Sequence, residues 1–196
     1  MAYPTVSAPY GFRPINRVDG MPYAGAIRQL PVTQAGAMYY GDLVELDIGG
    51  IVGTATSLTS GAKLGVFVGC QYTNAQGQTI QAQYYPGSSV TNALAFVVDD
   101  PMAAFKVAVT SDGSTIATVT QAAVGTNVTA LAGTPSATTG DSGQSILSTS
   151  PAANAAFPLR VIAVVPETAT GANAFTEVIV KINLHQYLTA TGNAVA

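Results

Sequence analysis

The amino-acid sequence predicts an all-β fold, an antiparallel β-sandwich or barrel of the jelly-roll type, preceded by an extended N-terminal arm. Short runs rich in β-branched and aromatic residues recur about every ten residues with turn-forming residues between them, a pattern typical of sandwiches and barrels. No segment keeps the 3.6-residue apolar period of an amphipathic helix for more than about two turns. Prolines crowd the first 31 residues instead, which predicts an extended backbone there.

The predicted arm covers residues 1–30 and differs in composition from the rest of the chain. It holds three of the four arginines and only one acidic residue, Asp19. Arginine and aromatic side chains dominate binding hot spots, whereas disordered tails usually lack aromatic residues. We therefore expect a docking arm, with a partly disordered tail as the alternative. The expected contacts to a partner are made by Tyr10, Phe12, Arg13, Arg17, Tyr23 and Arg28.

The body, residues 31–190, begins with two predicted hairpins. Residues 43–47 alternate apolar and acidic side chains, and two glycines separate them from the apolar residues 51–52. A longer apolar run over 63–72 is followed by an Asn- and Gly-containing turn and then by the alternating residues 78–85. Turn residues between two strand-forming runs predict antiparallel pairing.

Further strands lie on either side of a long excursion at about 111–150. Four are predicted, at 93–98, 104–109, 159–165 and 177–183, and the last two should pair as antiparallel core strands. Ser, Thr, Gly and Ala dominate the excursion. We expect one or two short strands or a helical turn in it, and mobility in a free monomer, because it buries little apolar area. A short tail, 191–196, ends the chain.

The charge content is unusually low. Only 9% of the 196 residues are charged, against about 25% in an ordinary soluble domain. The net charge of −3 disfavours nucleic acid as a partner, since phosphate binding needs many clustered cations. The apolar runs are too short to span a membrane, and no leader pattern is visible, so we expect a mature protein. The chain has few of the lysines and glutamates that usually prevent edge-to-edge pairing of strands. We therefore expect other subunits to cover these strand edges.

Residues for catalysis or metal binding are scarce. A single cysteine and a single histidine exclude an intramolecular disulfide and a Cys/His metal cluster. Cys70 lies in an apolar strand and is predicted to be a small buried side chain rather than a nucleophile paired with His185, which should cap the last strand. Asp99 and Asp100 precede a proline and are interpreted as turn initiators; a calcium site there or at Asp141 lacks spaced ligands. We expect no enzyme, no metal and no cofactor.

The opening segment, residues 10–28 (YGFRPINRVDGMPYAGAIR), resembles the start of a group of tailed-bacteriophage virion structural proteins, chiefly from aquatic phages. In that group a Gly-Phe-Arg-Pro…Asp-Gly-x-Pro-Tyr-Ala-Gly-Ala segment precedes a β-rich body. The resemblance covers almost the whole chain and is weakest in residues 111–150. In the body it is carried by residues 41–44, 64–69, 84–86, 97–101, 159–160 and 180–185.

The resemblance implies a capsid decoration or cement protein on the outer surface of the phage head. Such proteins are generally small and β-rich, often oligomeric, and bind the shell of the major capsid protein. The implied partners are the major capsid protein and further copies of this chain, as a dimer or trimer. The alternatives are another capsid or tail subunit, and a carbohydrate-binding adhesin module that stacks sugars on the pairs Tyr39-Tyr40 and Tyr84-Tyr85.

Overall fold

The computed structural model of the chain describes residues 8–21, 27–50, 52–87, 89–115, 117–168 and 176–189. The strands are β1 (Arg13–Arg17), β2 (Arg28–Val32), β3 (Leu43–Leu46), β4 (Val52–Thr54), β5 (Gly65–Thr73), β6 (Thr79–Ala82), β7 (Thr91–Val98), β8 (Ala103–Thr110), β9 (Asn127–Val128), β10 (Ala130–Leu131), β11 (Ser145–Leu147), β12 (Leu159–Val164) and β13 (Glu177–Ile182). Short 3-10 turns cover Ile48–Gly50, Gln121–Ala123, Pro166–Thr168 and Gln186–Leu188. The predicted all-β fold class is confirmed.

None of the helical turns in the described part of the chain is long and apolar enough to cross a membrane.

Local pairing follows the sequence pattern. Strand β3 pairs antiparallel with β4, and β5 pairs antiparallel with β6, so both predicted hairpins are confirmed. The predicted antiparallel pair near the C-terminus is confirmed as β12 with β13. Each of these pairs joins runs that are close in sequence, where the intervening turn sets the register.

A seven-stranded sheet is centred on β8. Strand β13 pairs antiparallel along one edge of β8. Two strands share the other edge: β1 is antiparallel to its N-terminal half, with Arg13 opposite Lys106, and β11 is parallel to its C-terminal half, with Ile146 opposite Val109. The main order of this sheet is β10-β11-β8-β13-β12-β9. Strand β1, which lies within the predicted arm, is thus an edge strand of this sheet.

The six-stranded sheet has the order β2-β7-β5-β3-β4, with β6 beside the C-terminal half of β5. Its two end strands, β2 and β4, approach each other. The backbone N–H of Thr54 in β4 donates at 2.8 Å to Oε1 of Gln34, which lies just after β2. This contact brings the sheet close to a closed barrel. Closure removes unpaired strand edges. The sheet therefore does not need the charged edge residues that usually prevent edge-to-edge association and that are scarce in this chain.

Two apolar clusters hold these sheets. One belongs to the six-stranded sheet and includes Phe67 and Val97. The other joins both sheets, with Val66 and Val98 facing Phe105 of β8. Neighbouring residues on a strand face opposite sides, so Val66 and Phe67 enter different clusters. The six-stranded sheet therefore buries both faces, which explains the continuous apolar run in β5.

The excursion at 111–150 belongs to the body. It contains three short strands, β9, β10 and β11, and one 3-10 turn, which is more regular structure than the one or two short strands or the helical turn that the sequence predicted. The expectation that it buries little apolar area is wrong, because five of its side chains enter the core that joins the two sheets: Val119, Ala123, Val128, Ala130 and Ile146. Small residues allow this packing, since they let backbone segments lie against each other.

Both strands that begin in the predicted arm pair with strands of the body. Strand β1 lies on β8, and β2 lies on β7 with Leu30 opposite Ala95. The predicted arm boundary at residue 30 falls inside β2. Residues 1–7 and 22–26, which include Tyr23, lie outside the described residues, and so does the predicted tail 191–196.

Candidate docking surface

Arg13 is held between aromatic rings and a carboxylate on the outer face of the seven-stranded sheet. Its guanidinium carbon lies 4.2 Å from the ring centre of Tyr40 and 5.6 Å from that of Tyr10. Its terminal nitrogen donates to Asp141, which also accepts from Gln83 at 2.9 Å. Burial alone would raise the pKa of Asp141, but the hydrogen bonds and the positive charge of Arg13 outweigh it and lower the pKa. Arg13 thus binds its own chain firmly.

Tyr10 adds a second anchor on the same face. Its hydroxyl donates to the buried carboxylate of Glu177, whose other oxygen lies 3.2 Å from Nζ of Lys106. Burial, then the hydrogen bond and the charge of Glu177, raise the pKa of Tyr10 far above its ordinary value. The phenol therefore stays protonated, as a donor to Glu177 must be.

Phe12 does not belong to a docking surface. Its side chain is 0% exposed and lies in the core that joins the two sheets. The prediction that Phe12 contacts a partner is wrong. On an extended segment alternate residues face opposite sides, so the placement of Arg13 on the outer face directs Phe12 inward.

Arg17 closes the turn that follows β1. Its guanidinium contacts Asp19 at 3.1 Å and Asp100 at 2.8 Å, and its backbone N–H donates to the carbonyl of Met21 at 3.0 Å. The hydrogen bond from Arg17 lowers the pKa of Asp19. Asp100 also accepts the backbone N–H of Met102 at 2.8 Å, in agreement with its interpretation as a turn initiator.

Arg28 pairs with Asp99, the residue that precedes Asp100. Its Nε lies 2.9 Å from Asp99, and its guanidinium carbon lies 5.2 Å from the ring centre of Tyr187. The Tyr187 hydroxyl donates to the same carboxylate oxygen at 2.9 Å. Burial and the bond to Asp99 raise the pKa of Tyr187 to about 12. The Arg28 side chain is still 56% exposed, so a partner can reach it.

Large exposed apolar side chains occur close to these two arginines in the chain and in the last 3-10 turn. Met21 is 60% exposed and Leu188 is 71% exposed. Met21 accepts the backbone N–H of Arg17, Ile27 precedes Arg28, and Leu188 follows Tyr187. Each of them therefore adjoins a residue that contacts Asp99 or Asp100. We call this surface the Arg28 end and define it by Arg17, Met21, Ile27, Arg28, Ile48, Tyr187 and Leu188.

Ile48 joins the Arg28 end through Gln186. The Gln186 side chain accepts the N–H of Leu46 at 2.7 Å and donates to the Leu46 carbonyl at 3.1 Å. Ile48 lies two residues beyond Leu46, and Gln186 directly precedes Tyr187. The large hydrophobic side chains that are exposed in the described residues are thus Met21 and Ile27 in the predicted arm, Ile48 after β3, and Tyr187 and Leu188 in the last 3-10 turn.

The two tyrosine pairs have partners within the chain. Tyr39 and Tyr84 stack on each other with ring centres 5.7 Å apart and planes 9° apart. Tyr40 stacks with Arg13, and Tyr85 is buried. These intramolecular contacts cover ring faces on which a sugar would stack.

The single cysteine is a core side chain, as predicted. Cys70 is fully buried, and its Sγ lies 3.3 Å from the carbonyl oxygen of Tyr84. Burial raises the pKa of the Cys70 thiol to about 12. The thiolate that nucleophilic chemistry requires is therefore strongly disfavoured at neutral pH.

His185 caps the last 3-10 turn from a buried position. Its Nδ1 accepts the backbone N–H of Tyr187 at 3.2 Å, so it caps the turn after the last strand rather than the strand itself. Burial lowers the pKa of His185, although the charges of Asp99 and Asp100 and the carbonyls of Asp99 and Leu64 act in the opposite direction. The neutral imidazole supports the turn that presents Tyr187.

We expect the free energy of unfolding to fall as the pH drops below about 6.5, because the unfolded chain then binds a proton that folded His185 resists. The slope should reach at most about 1.4 kcal/mol per pH unit. Denaturant titrations across this range on the unaltered chain and on His185→Asn measure it, since asparagine keeps a cap acceptor but does not titrate. The difference between the two proteins isolates His185 from Asp42, whose pKa burial raises. Equal slopes in both proteins would contradict this assignment.

Sequence reasoning missed the carboxylates that hold the arm. Asp99, Asp100 and Asp141 accept from arginines rather than forming a cation site, and among the described residues no group of three or more His, Cys, Asp or Glu side chains is placed to hold a metal. No local signal could reveal these pairs, because Arg13 and Asp141 are 128 residues apart in sequence.

No protein-family model, curated protein or solved structure gives a match to this chain.

Proposed function

We propose that this chain is a structural virion protein that binds the outer surface of a bacteriophage capsid and stabilises the head shell, as a decoration or cement protein. The resemblance of residues 10–28 to phage virion proteins suggests this class of function. The observation that supports it best is the Arg28 end, where Arg28 contacts Tyr187 and where exposed large apolar side chains adjoin two arginines of the predicted arm or the last 3-10 turn.

The composition of the Arg28 end favours a protein partner. Aromatic residues, Met and Arg are enriched in the centres of protein interfaces, and Arg28, Met21 and Tyr187 are of these types. Contact with a partner would also remove exposed apolar area from water, at about 25 cal/mol per Å². Surface charge usually opposes association between proteins. With only 9% charged residues, this chain has little charge to oppose association at such a surface.

In this proposal the partner at the Arg28 end is the major capsid protein, and copies of the chain associate with one another as dimers or trimers. Many copies bound to one lattice reinforce each other, since each bound subunit raises the effective concentration of its linked neighbours. Arg17 and Arg28 already hold Asp100 and Asp99. Their intramolecular pairs preorganise the surface, which lowers the cost of binding.

The test uses heads of the phage that encodes the chain, stripped of this protein and mixed with purified chain. We expect Ile27→Asp and Leu188→Asp each to weaken binding at least about tenfold, because each puts a charge into an apolar contact. Gln76→Glu is the matched control: it adds the same charge at an exposed turn residue far along the β5 to β6 hairpin, and it should bind like the unaltered chain.

Co-sedimentation measures occupancy, and thermal disruption of the heads measures stabilisation. Unaltered chain should saturate the heads and raise their disruption temperature. Failure to bind heads, or equal binding by all variants, would show that the Arg28 end is not a capsid contact.

A further inference from the structure

The outer face of the seven-stranded sheet concentrates positive charge on an acidic protein. Four of the chain's seven basic residues lie on this face: Arg13, Lys106, Arg160 and Lys181. In the strand register Arg13 is opposite Lys106, and Arg160 is opposite Lys181. Residues directly opposite each other on neighbouring strands share a face and lie close together, so cations are paired with cations at both places.

One of these two pairs is neutralised within the chain. Asp141 accepts from Arg13, and Glu177 lies 3.2 Å from Nζ of Lys106. The net charge of the Arg13 and Lys106 pair with its two acids is zero.

The other pair has no counter-charge. Neither Arg160 nor Lys181 takes part in an ion pair with any described residue, whereas the remaining five basic residues all do. Like charges directly opposite each other destabilise a sheet. In a chain with so few charges, this uncompensated pair is a local cost that an anionic ligand would remove.

Arg160 is held in a defined orientation. Its Nε donates to Oδ1 of Asn127 at 2.9 Å, and Nδ2 of Asn127 donates to the carbonyl of Asn154 at 2.9 Å. Asn127 is itself 7% exposed. The two terminal nitrogens of Arg160 have no hydrogen-bond partner among the described residues, and they supply a planar pair of donors of the kind that binds a carboxylate in two-point fashion.

A cleft of about 560 Å³ gives access to this group. Arg160 and Asn127 line it together with Asn183, and its other walls include the small residues Ala152, Ala153 and Gly125. Small walls leave room beside the guanidinium for an incoming side chain. Lys181 lies opposite Arg160 in the strand register, beside the residues that line the cleft rather than among them.

We propose that the Arg160 and Lys181 pair is a binding site for carboxylate side chains of an acidic protein segment. The guanidinium provides the fixed two-point contact and the ammonium provides a second positive charge. Two uncompensated cations suffice for one or two carboxylates but are few for nucleic acid, which requires many phosphate contacts. The site uses no residue of the Arg28 end, so it goes beyond the function proposed above.

The test titrates the full chain with hexaglutamate at low ionic strength, by calorimetry. Arg160→Gln and Lys181→Gln should each weaken binding at least about tenfold, as expected for a lost hydrogen bond between charged groups. Gln76→Glu, which makes the same change in net charge away from the cleft, should bind as the unaltered chain does. Hexaglutamine should not bind.

A second measurement separates binding from folding. Lys181→Gln should leave the midpoint of thermal unfolding unchanged or raise it, because it removes the repulsion from Arg160, while hexaglutamate should stabilise the unaltered chain and not this variant. No binding of hexaglutamate, or equal binding by all variants, would overturn the proposal. Tighter binding of a single-stranded oligothymidylate that is lost in the same variants would also overturn it, in favour of a nucleic-acid site.

Discussion

Replacing Phe12 with alanine should lower the free energy of unfolding by about 3–5 kcal/mol, the range found when a large buried aromatic side chain is truncated. Phe12 is fully buried between the two sheets, so its removal leaves a cavity that the flanking strands cannot readily fill. Denaturant unfolding followed by circular dichroism measures this loss. An effect of this size would identify the first part of the arm as a piece of the core.

Met21→Ala is the control for Phe12→Ala. Met21 is another apolar residue of the predicted arm, but it is 60% exposed, and substitutions at such surface sites usually change stability by no more than about 0.5 kcal/mol. A similar small effect for Phe12→Ala would mean that β1 does not pack on the body in solution.

Gly133→Ala should destabilise the protein by about 3 kcal/mol or more, at or above the upper end of ordinary overpacking costs. A Cβ at this position would lie 2.1 Å from the carbonyl oxygen of Gly143 and 2.6 Å from that of Gly113. Both contacts are backbone atoms, which cannot turn away as a side chain can. Thermal unfolding by calorimetry should show the loss as a lower transition temperature.

Gly36→Ala is the matched control, because among the described residues only the end of the Gln34 side chain, at 4.0 Å, lies within reach of a Cβ at this position. It should be neutral or stabilise the protein by up to about 1 kcal/mol, through the smaller entropy of the unfolded chain. If Gly133→Ala behaved like Gly36→Ala, the close packing of the Ser-, Thr- and Gly-rich excursion would be disproved.

The burial of Phe12 affects how the arm can be tested. Deleting residues 1–28 would remove β1 together with Phe12 and expose the edge of β8, so lost capsid binding could reflect lost folding. Point substitutions at exposed residues such as Ile27 and Leu188 avoid this problem, since they change the surface and leave the core intact.

Local features of the sequence predict the strands well. The hairpins at β3–β4 and β5–β6, and the antiparallel pair β12–β13, follow from alternation and turn residues alone. These signals are short-range: the turn sets the register and the alternation sets the buried face. The excursion is harder to predict, because its packing depends on the contact of Gly133 with Gly113 and Gly143 rather than on large apolar side chains.

The candidate surfaces could be predicted only in part. The sequence singles out Arg17 and Arg28 as unusual, and both lie at the Arg28 end. It does not reveal that Asp100 and Asp99 receive them, or that Tyr187 lies against Arg28, because these residues lie far from the arm in sequence, as Arg17 and Asp100 do at 83 residues apart. The opposition of Arg160 and Lys181 likewise depends on the register of β12 and β13.

The sequence by itself determines that this is an all-β protein with few charges and an extended first segment, because alternation, turn residues and proline act over short distances. Only the tertiary structure decides what the extended segment contacts. It buries Phe12, pairs the arm's arginines with distant carboxylates, and leaves Arg160 and Lys181 without counter-charges. These outcomes depend on which strands become neighbours, and that is settled by the packing of the two apolar cores rather than by any local stretch of sequence.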